Sequence, residues 1–329
     1  MSHVLTVRMV HKAFSSCKVT SFDSVIYREK LIFVKNGHEV VLTIRGLRTE
    51  EKKLELLRAI LNVLYVYLGA FPDIEHIIYD DKEIDSSNWV LKYNTRSDFK
   101  RSDLLLCPID STTMNEKVLR ALGLVSEMPL YSLQYLVSET YRHMISDHKI
   151  TLLLHVIDGM VQKAESTKGE SDWKKKYQNR VQGRIGNYRP SVYYLCRRYF
   201  YKYHRKYNCE ILKLLRENQF SFVETITDTR NWYSHFLDKG KKLNRMHDGV
   251  EMQIYFEIIY YTLRLMCLDR LDVLPDEAMI REYLYTVHDW ILEIKYDRKD
   301  DLKSRTYKSL RDYQEFIDII NSYTESVDG

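Results

Sequence analysis

From about residue 129 almost to the C-terminus, apolar residues recur at helical spacing, and nothing else in the sequence constrains the fold as much. Candidate helices fall near 130–147, 150–166, 172–184, 190–207, 209–217, 219–236, 250–270, 276–295 and 300–325. Only 11 glycines and 5 prolines punctuate the 329 residues, so little interrupts long helices. Pro190 sits at the head of one of them, where its missing N–H costs no hydrogen bond. Thr167–Ser171 and Asp238–Lys242 read as loops, and no internal repeat or low-complexity tract is present. The stretch Lys295–Arg311 is dense in both charge signs and reads as a solvated helix face.

Residues 1–128 follow a different pattern and are expected to form a small α+β domain, a candidate sensor or regulator of residues 129–329. In the segment Lys30–Leu42 two β-rich runs flank Asn36-Gly37, a pair that tolerates positive φ and so signals a hairpin. A helix follows, with Thr49 as N-cap and Glu50 and Glu51 in its first turn. Apolar residues then recur at Leu54, Leu57, Ile60, Leu61, Leu64 and Leu68, and Gly69 is the expected stop. Further β-like runs lie near Ile74–Tyr79, Trp89–Tyr93 and Leu104–Cys107. The expected fold class is mainly α, a C-terminal helical bundle carrying a small N-terminal α+β domain. No catalytic constellation is visible in the N-terminal part.

Composition narrows the function classes. Apolar residues at 45% and charged residues at 29% match a globular protein with a sizeable core. A net charge of +4 permits nucleic-acid binding without requiring it. The five cysteines are widely spaced with no CxxC pair, so neither a zinc knuckle nor a disulfide framework is indicated. The N-terminus MSHVLTVRMV lacks a signal-peptide core, and no apolar run approaches bilayer length. A soluble, cytoplasmic protein with no membrane association is expected. Tyrosine is abundant at 26, and most are expected in half-buried packing. Glycine-rich phosphate loops are absent, which argues against a nucleotide-driven motor.

The segment Asp228-Thr229-Arg230-Asn231-Trp232-Tyr233-Ser234-His235 carries the chemistry. Arginine stays charged, and its planar fork matches phosphate oxygens. Histidine titrates near neutrality and can move a proton. Asn231 can orient a phosphate or the histidine through its amide. No carboxylate cluster accompanies them, which suits a mechanism without metal ions. Residues five apart on a straight helix point about 140° from each other. Arg230 and His235 therefore share a site only if the helix ends or distorts near His235, or if two chains combine.

An arginine, a polar residue and a histidine at this spacing resemble the signature of the HEPN superfamily. The run from Phe222 to Asn231, followed by Tyr233 and His235, is similar to its Apea-like branch. Val250–Leu271 resembles that branch's next helix, and Thr151–Asp158 its first, with Asp158 where an acidic residue is usual. The resemblance covers about residues 145–297. It implies a metal-independent endoribonuclease that cuts RNA by 2′-hydroxyl attack, leaving a 2′,3′-cyclic phosphate and a 5′-hydroxyl. It implies a homodimer with a composite site, a place in anti-phage defence or abortive infection, and toxin-like restraint by a regulatory partner or phage trigger. No cofactor is implied. Arg230, Asn231 and His235 would be catalytic, with Asp158 and Tyr233 in support. The alternatives are a HEPN module that binds RNA or nucleotide without cutting, and a protein-interaction module. In those cases Arg230 would serve as an interhelical salt-bridge residue and His235 as a C-terminal cap.

Two basic groups are candidates for RNA contact. Arg197, Arg198, Lys202 and Arg205 alternate with aromatic residues from Tyr193 to Tyr207, a pattern that serves either stacking on bases or plain amphipathic packing. Lys239, Lys241, Lys242 and Arg245 closely follow the motif. The remaining histidines show no metal-ligand spacing. His155 lies on an apolar helix, where a structural role is the expectation.

Overall fold

The computed structural model describes residues 2–16, 19, 21–69, 71–85, 109–120, 146–166, 188–217, 219–235 and 249–270, and parts of 277–284. The chain divides into two compact units. The first comprises Met1–His143 with Arg264–Met279, and the second Met144–Leu263 with Ile280–Gly329.

The first unit is built on a six-stranded antiparallel sheet in the order β2-β3-β4-β1-β5-β6. Its strands are β1 (His3–Val10), β2 (Phe22–Ile26), β3 (Glu29–Asn36), β4 (Glu39–Gly46), β5 (Asp73–Tyr79) and β6 (Lys82–Glu83). The expected hairpin forms between β3 and β4, but its centre is shifted by one residue. Asn36 pairs with Glu39, so Gly37 and His38 make the turn. Gly37 takes a φ of +62°, the left-handed conformation that glycine adopts without steric cost. Two further hairpins turn without glycine. Tyr27-Arg28 and Asp80-Asp81 place both central residues at positive φ, the type I′ pattern that suits strand twist. Asp80 offsets its strain by accepting hydrogen bonds from Val4 N at 2.7 Å and pairing with His3 at 2.6 Å. The runs near Trp89–Tyr93 and Leu104–Cys107 lie outside the described residues.

Helix α1 (Ala13–Ser16) follows β1, and α2 (Glu50–Leu68) follows β4. The ends of α2 fall where the sequence places them. Thr49 is the N-cap residue in extended conformation, although its side chain makes no capping bond, and Gly69 closes the helix at a φ of 74°. Leu57, Ile60, Leu61, Leu64 and Leu68 are all buried, each contributing about 1.5–3 kcal/mol of apolar burial. Lys53 is also buried. Its ammonium meets the Glu29 carboxylate at the head of β3, and Arg48 N donates to the same carboxylate at 3.1 Å. Helix α3 (Glu116–Leu119) is capped by Asn115, whose side chain accepts from Val118 N.

The described part of the second unit is built of helices joined by short connections. It contains α4 (Ser146–Ser166), α5 (Arg189–Leu195), a π-helical turn (Cys196–Phe200), α6 (Tyr201–Tyr207), α7 (Glu210–Glu217), α8 (Gln219–His235) and α9 (Gly249–Arg270), whose last residues fall in the first unit. Many of the tyrosines pack: Tyr193, Tyr194, Tyr203, Tyr207, Tyr255, Tyr260 and Tyr261 are buried. Phe222 of α8 bridges Phe200 and Tyr255, with ring centroids 5.8 and 5.3 Å away. Cys196 and Cys267 are buried, and burial pushes the Cys196 thiol well above its usual range. Among the described residues, no helix is long and apolar enough to cross a membrane.

Candidate active site

Helix α8 owes its position to its middle. Phe222, Val223, Thr225, Ile226, Thr227, Asp228 and Thr229 are all buried, whereas Arg230, Asn231, Trp232 and Tyr233 are half-buried. The helix leaves the core at Arg230. The buried threonines satisfy their hydroxyls within the helix: Thr227 donates to Val223 O and Thr229 to Thr225 O, both at 2.7 Å. Asp228 accepts from Arg189 Nη2 at 2.9 Å, and Arg189 Nε donates to Thr227 Oγ1 at 3.2 Å. That pair ties α8 to the first turn of α5. It is an interhelical ion pair of the kind weighed for Arg230, made here by the aspartate two residues before it.

Arg230 lies with its guanidinium carbon 4.7 Å from the centroid of the Tyr188 ring. A cation over an aromatic face is attracted by the ring quadrupole, and the contact helps hold the guanidinium in place. On the other side Arg230 Nη1 donates to Asn231 Oδ1 at 3.2 Å. Asn231 therefore acts on the arginine itself, holding it from the neighbouring position. The Tyr188 hydroxyl lies 2.9 Å from His155 Nδ1 of α4, and the two rings meet edge to face at 5.2 Å. Partial desolvation, then the nearby Arg230 charge, hold the His155 imidazole below its ordinary range, while Asp158 pulls it up. A ring that sequence reasoning assigned to packing is thus exposed and sits beside the motif arginine.

Asp158, three residues after His155 on α4, accepts a 2.5 Å hydrogen bond from Ser191 Oγ of α5. That bond joins α4 to α5. Tyr233 is half-buried one turn beyond Arg230. His235 is the last residue of α8, which runs as an α-helix from Gln219 to that point. The backbone therefore keeps the offset of about 140° between positions 230 and 235. Lys239, Lys241, Lys242 and Arg245 lie outside the described residues.

The aromatic-basic segment separates into two faces. Tyr193, Tyr194, Phe200, Tyr203 and Tyr207 are buried, whereas Arg198, Lys202 and Arg205 are exposed and Arg197 is half-buried. Most of the rings pack and are not presented for stacking on bases. Tyr201 is the exception, exposed and flanked by Arg205 and Arg216 at 5.8 and 5.1 Å.

Two members of the site, His155 and Tyr188, are absent from the Arg–His motif. The spacing of His155 and Asp158 is the signal that could have found the first, because residues three apart share a helix face. No sequence signal marks Tyr188. No family model matches the chain, and no curated protein or solved structure matches it.

Proposed function

We propose that the chain is a metal-independent endoribonuclease of the HEPN type, cutting RNA by attack of a ribose 2′-hydroxyl on the adjacent phosphodiester. One observation carries the reading: α8 emerges from the core at Arg230, and that cation is held between the Tyr188 ring and the Asn231 amide. A cation fixed before substrate arrives need not reorganise as charge develops on the phosphorane, and this is where electrostatic catalysis gains most. Arg230 neutralises the phosphate oxygens, Asn231 keeps the guanidinium oriented, and His235 at the helix end moves a proton. The offset between Arg230 and His235 supports a composite site in a homodimer, with arginine and histidine facing each other across two chains. Arg197, Arg198, Lys202 and Arg205 offer the phosphate backbone a further basic surface, and Lys239, Lys241, Lys242 and Arg245, which follow the motif in the sequence, are further candidates for RNA contact. The first unit, without such a cluster among its described residues, is the natural place for control by a regulatory partner or phage trigger in a cytoplasmic defence system.

The test is to incubate the purified chain with total RNA and with tRNA, with and without a chelator, beside Arg230→Ala and His235→Ala. Cleavage is expected to give 2′,3′-cyclic phosphate ends and to persist in chelator. Each substitution is expected to lower the rate by about 10²–10³-fold or more, the scale of removing one preorganised charge-stabilising group. Cleavage that survives both substitutions would sink the reading. Salt-dependent RNA binding with no cleavage by the unaltered chain would establish the binding-module alternative instead.

A further inference from the structure

His155 comes from a helix more than seventy residues before the motif, yet it shares one tyrosine with the motif arginine. The ring face of Tyr188 carries the Arg230 guanidinium at 4.7 Å, and its hydroxyl lies 2.9 Å from His155 Nδ1. We propose, resting on the nuclease reading above, that His155 is a second catalytic imidazole of this site. In its neutral form it takes the proton of the ribose 2′-hydroxyl while Arg230 neutralises the phosphodiester under attack.

Exposure sets His155 apart from a packing histidine. Its neighbours Leu154 and Val156 are about 1% exposed, while the imidazole itself is exposed. A histidine serving only the core would be enclosed with them. Hydrogen bonding supplies the orientation. Nδ1 is the nitrogen nearer the phenol oxygen, and Nε2 stands at 3.5 Å from it. The proposed base is the tautomer in which Nδ1–H donates to the Tyr188 oxygen, which leaves the Nε2 lone pair to accept a proton. Among the described residues, the charged and titratable groups facing the ring are Asp158 on its own helix, Tyr188 at the head of α5 and Arg230 on α8. Together with partial desolvation, Arg230 favours the neutral ring over the pull of Asp158, which leaves a base ready at neutral pH.

The step balances without any added reactant. His155 Nε2 takes the O2′ proton as the O2′–P bond forms. The P–O5′ bond breaks, and the leaving O5′ takes a proton from a second acid, for which His235 is the candidate. The products are a 2′,3′-cyclic phosphate and a 5′-hydroxyl, and both imidazoles return to their starting states by exchange with water.

The experiment is single-turnover cleavage of a labelled RNA by the full chain and by His155→Gln and Tyr188→Phe, from pH 5 to 9. His155→Gln is expected to slow cleavage by about 10²–10⁴-fold, the usual contribution of one positioned acid–base group, and to lose the acid limb of the profile. RNA affinity should not change. Tyr188→Phe keeps the ring beneath Arg230 and removes the hydroxyl, so a smaller loss is expected at equal affinity. If the unaltered chain cleaves and His155→Gln matches it at every pH, the proposal fails and the nuclease reading survives. If the unaltered chain cleaves no RNA, the nuclease reading falls and the proposal falls with it. Should His155→Gln lose its cooperative melt, the unaltered protein decides. Uridine 3′-phosphate must then raise the titration midpoint of the His155 ring proton in NMR, and Arg230→Ala must abolish that shift. A midpoint unmoved by the nucleotide overturns the proposal.

Discussion

Each unit holds a carboxylate–cation pair, and the two pairs differ in how far water reaches them. Glu29 and Lys53 in the sheet unit are enclosed, their side chains 2% and 0% exposed. Arg189 and Asp228 in the helical unit retain 15% and 7%, and the next cation along α8, Arg230, is half-buried. An enclosed pair can only hold elements together, here the head of β3 to α2, because nothing from solvent can replace either partner. A pair at the margin of the core does the same work and also sets the angle at which the following turn meets water. The difference teaches where to look for chemistry: at charges that the fold fixes in place and leaves reachable.

The largest effect that would test this contrast is at the enclosed pair. Lys53→Ala strands the Glu29 carboxylate and is expected to destabilise the sheet unit by about 3–5 kcal/mol in denaturant melts. Replacing both partners by apolar residues of similar volume should recover most of that loss. A single substitution that leaves the melt unchanged would show that water already reaches the pair. Next comes Asp228→Asn, which weakens a charge-assisted bond without emptying space. A loss of about 1–3 kcal/mol is expected. If the proposed nuclease function holds, RNA cleavage should fall as well, because the turn bearing Arg230 loses its tether. Stability that falls with cleavage untouched would separate the tether from the site.

The smallest effect is a pH dependence at His11 in the sheet unit. Burial, with help from Lys12, holds its imidazole below the usual range against the pull of Asp73. Ala13 N donates to His11 Nδ1 at 3.1 Å, a bond that needs that nitrogen unprotonated. The unfolded chain therefore binds the proton more readily than the folded one. Stability is retained above the unfolded value of about 6.5 and declines as pH falls from there toward the depressed folded value. Melting between pH 7.5 and 5.5 should decline more steeply for the unaltered protein than for His11→Gln. Parallel curves would show that His11 is protonated at no cost.

What could be read from the sequence follows from the range of each interaction. The described helices of the second half lie within a few residues of their apolar periodicity, and Gly69 ends α2 as expected, because helices are written in local spacing. The hairpin at Gly37 was legible for the same reason, apart from a shift of one residue. Strand β1 carries no such local mark, since its place between β4 and β5 is decided by partners 29 or more residues away. Tyr27-Arg28 and Asp80-Asp81 escaped notice because they adopt positive φ without glycine. At the site, Arg230 was legible from its motif. Its companions were not, because Tyr188 and His155 reach it from separate helices and no spacing rule links them.

Gly46 shows how the enclosed pair constrains the chain beyond its own two residues. A Cβ built at position 46 would come within 2.5 Å of the Glu29 carboxylate. That carboxylate cannot swing aside, being tied to the Lys53 ammonium and to Arg48 N. Three positions on three successive elements of the chain, Glu29, Gly46 and Lys53, are therefore bound into one inheritance. In descendants of this sequence, a side chain at 46 should appear only after Glu29 or Lys53 has been exchanged, and the glycine should persist wherever both remain.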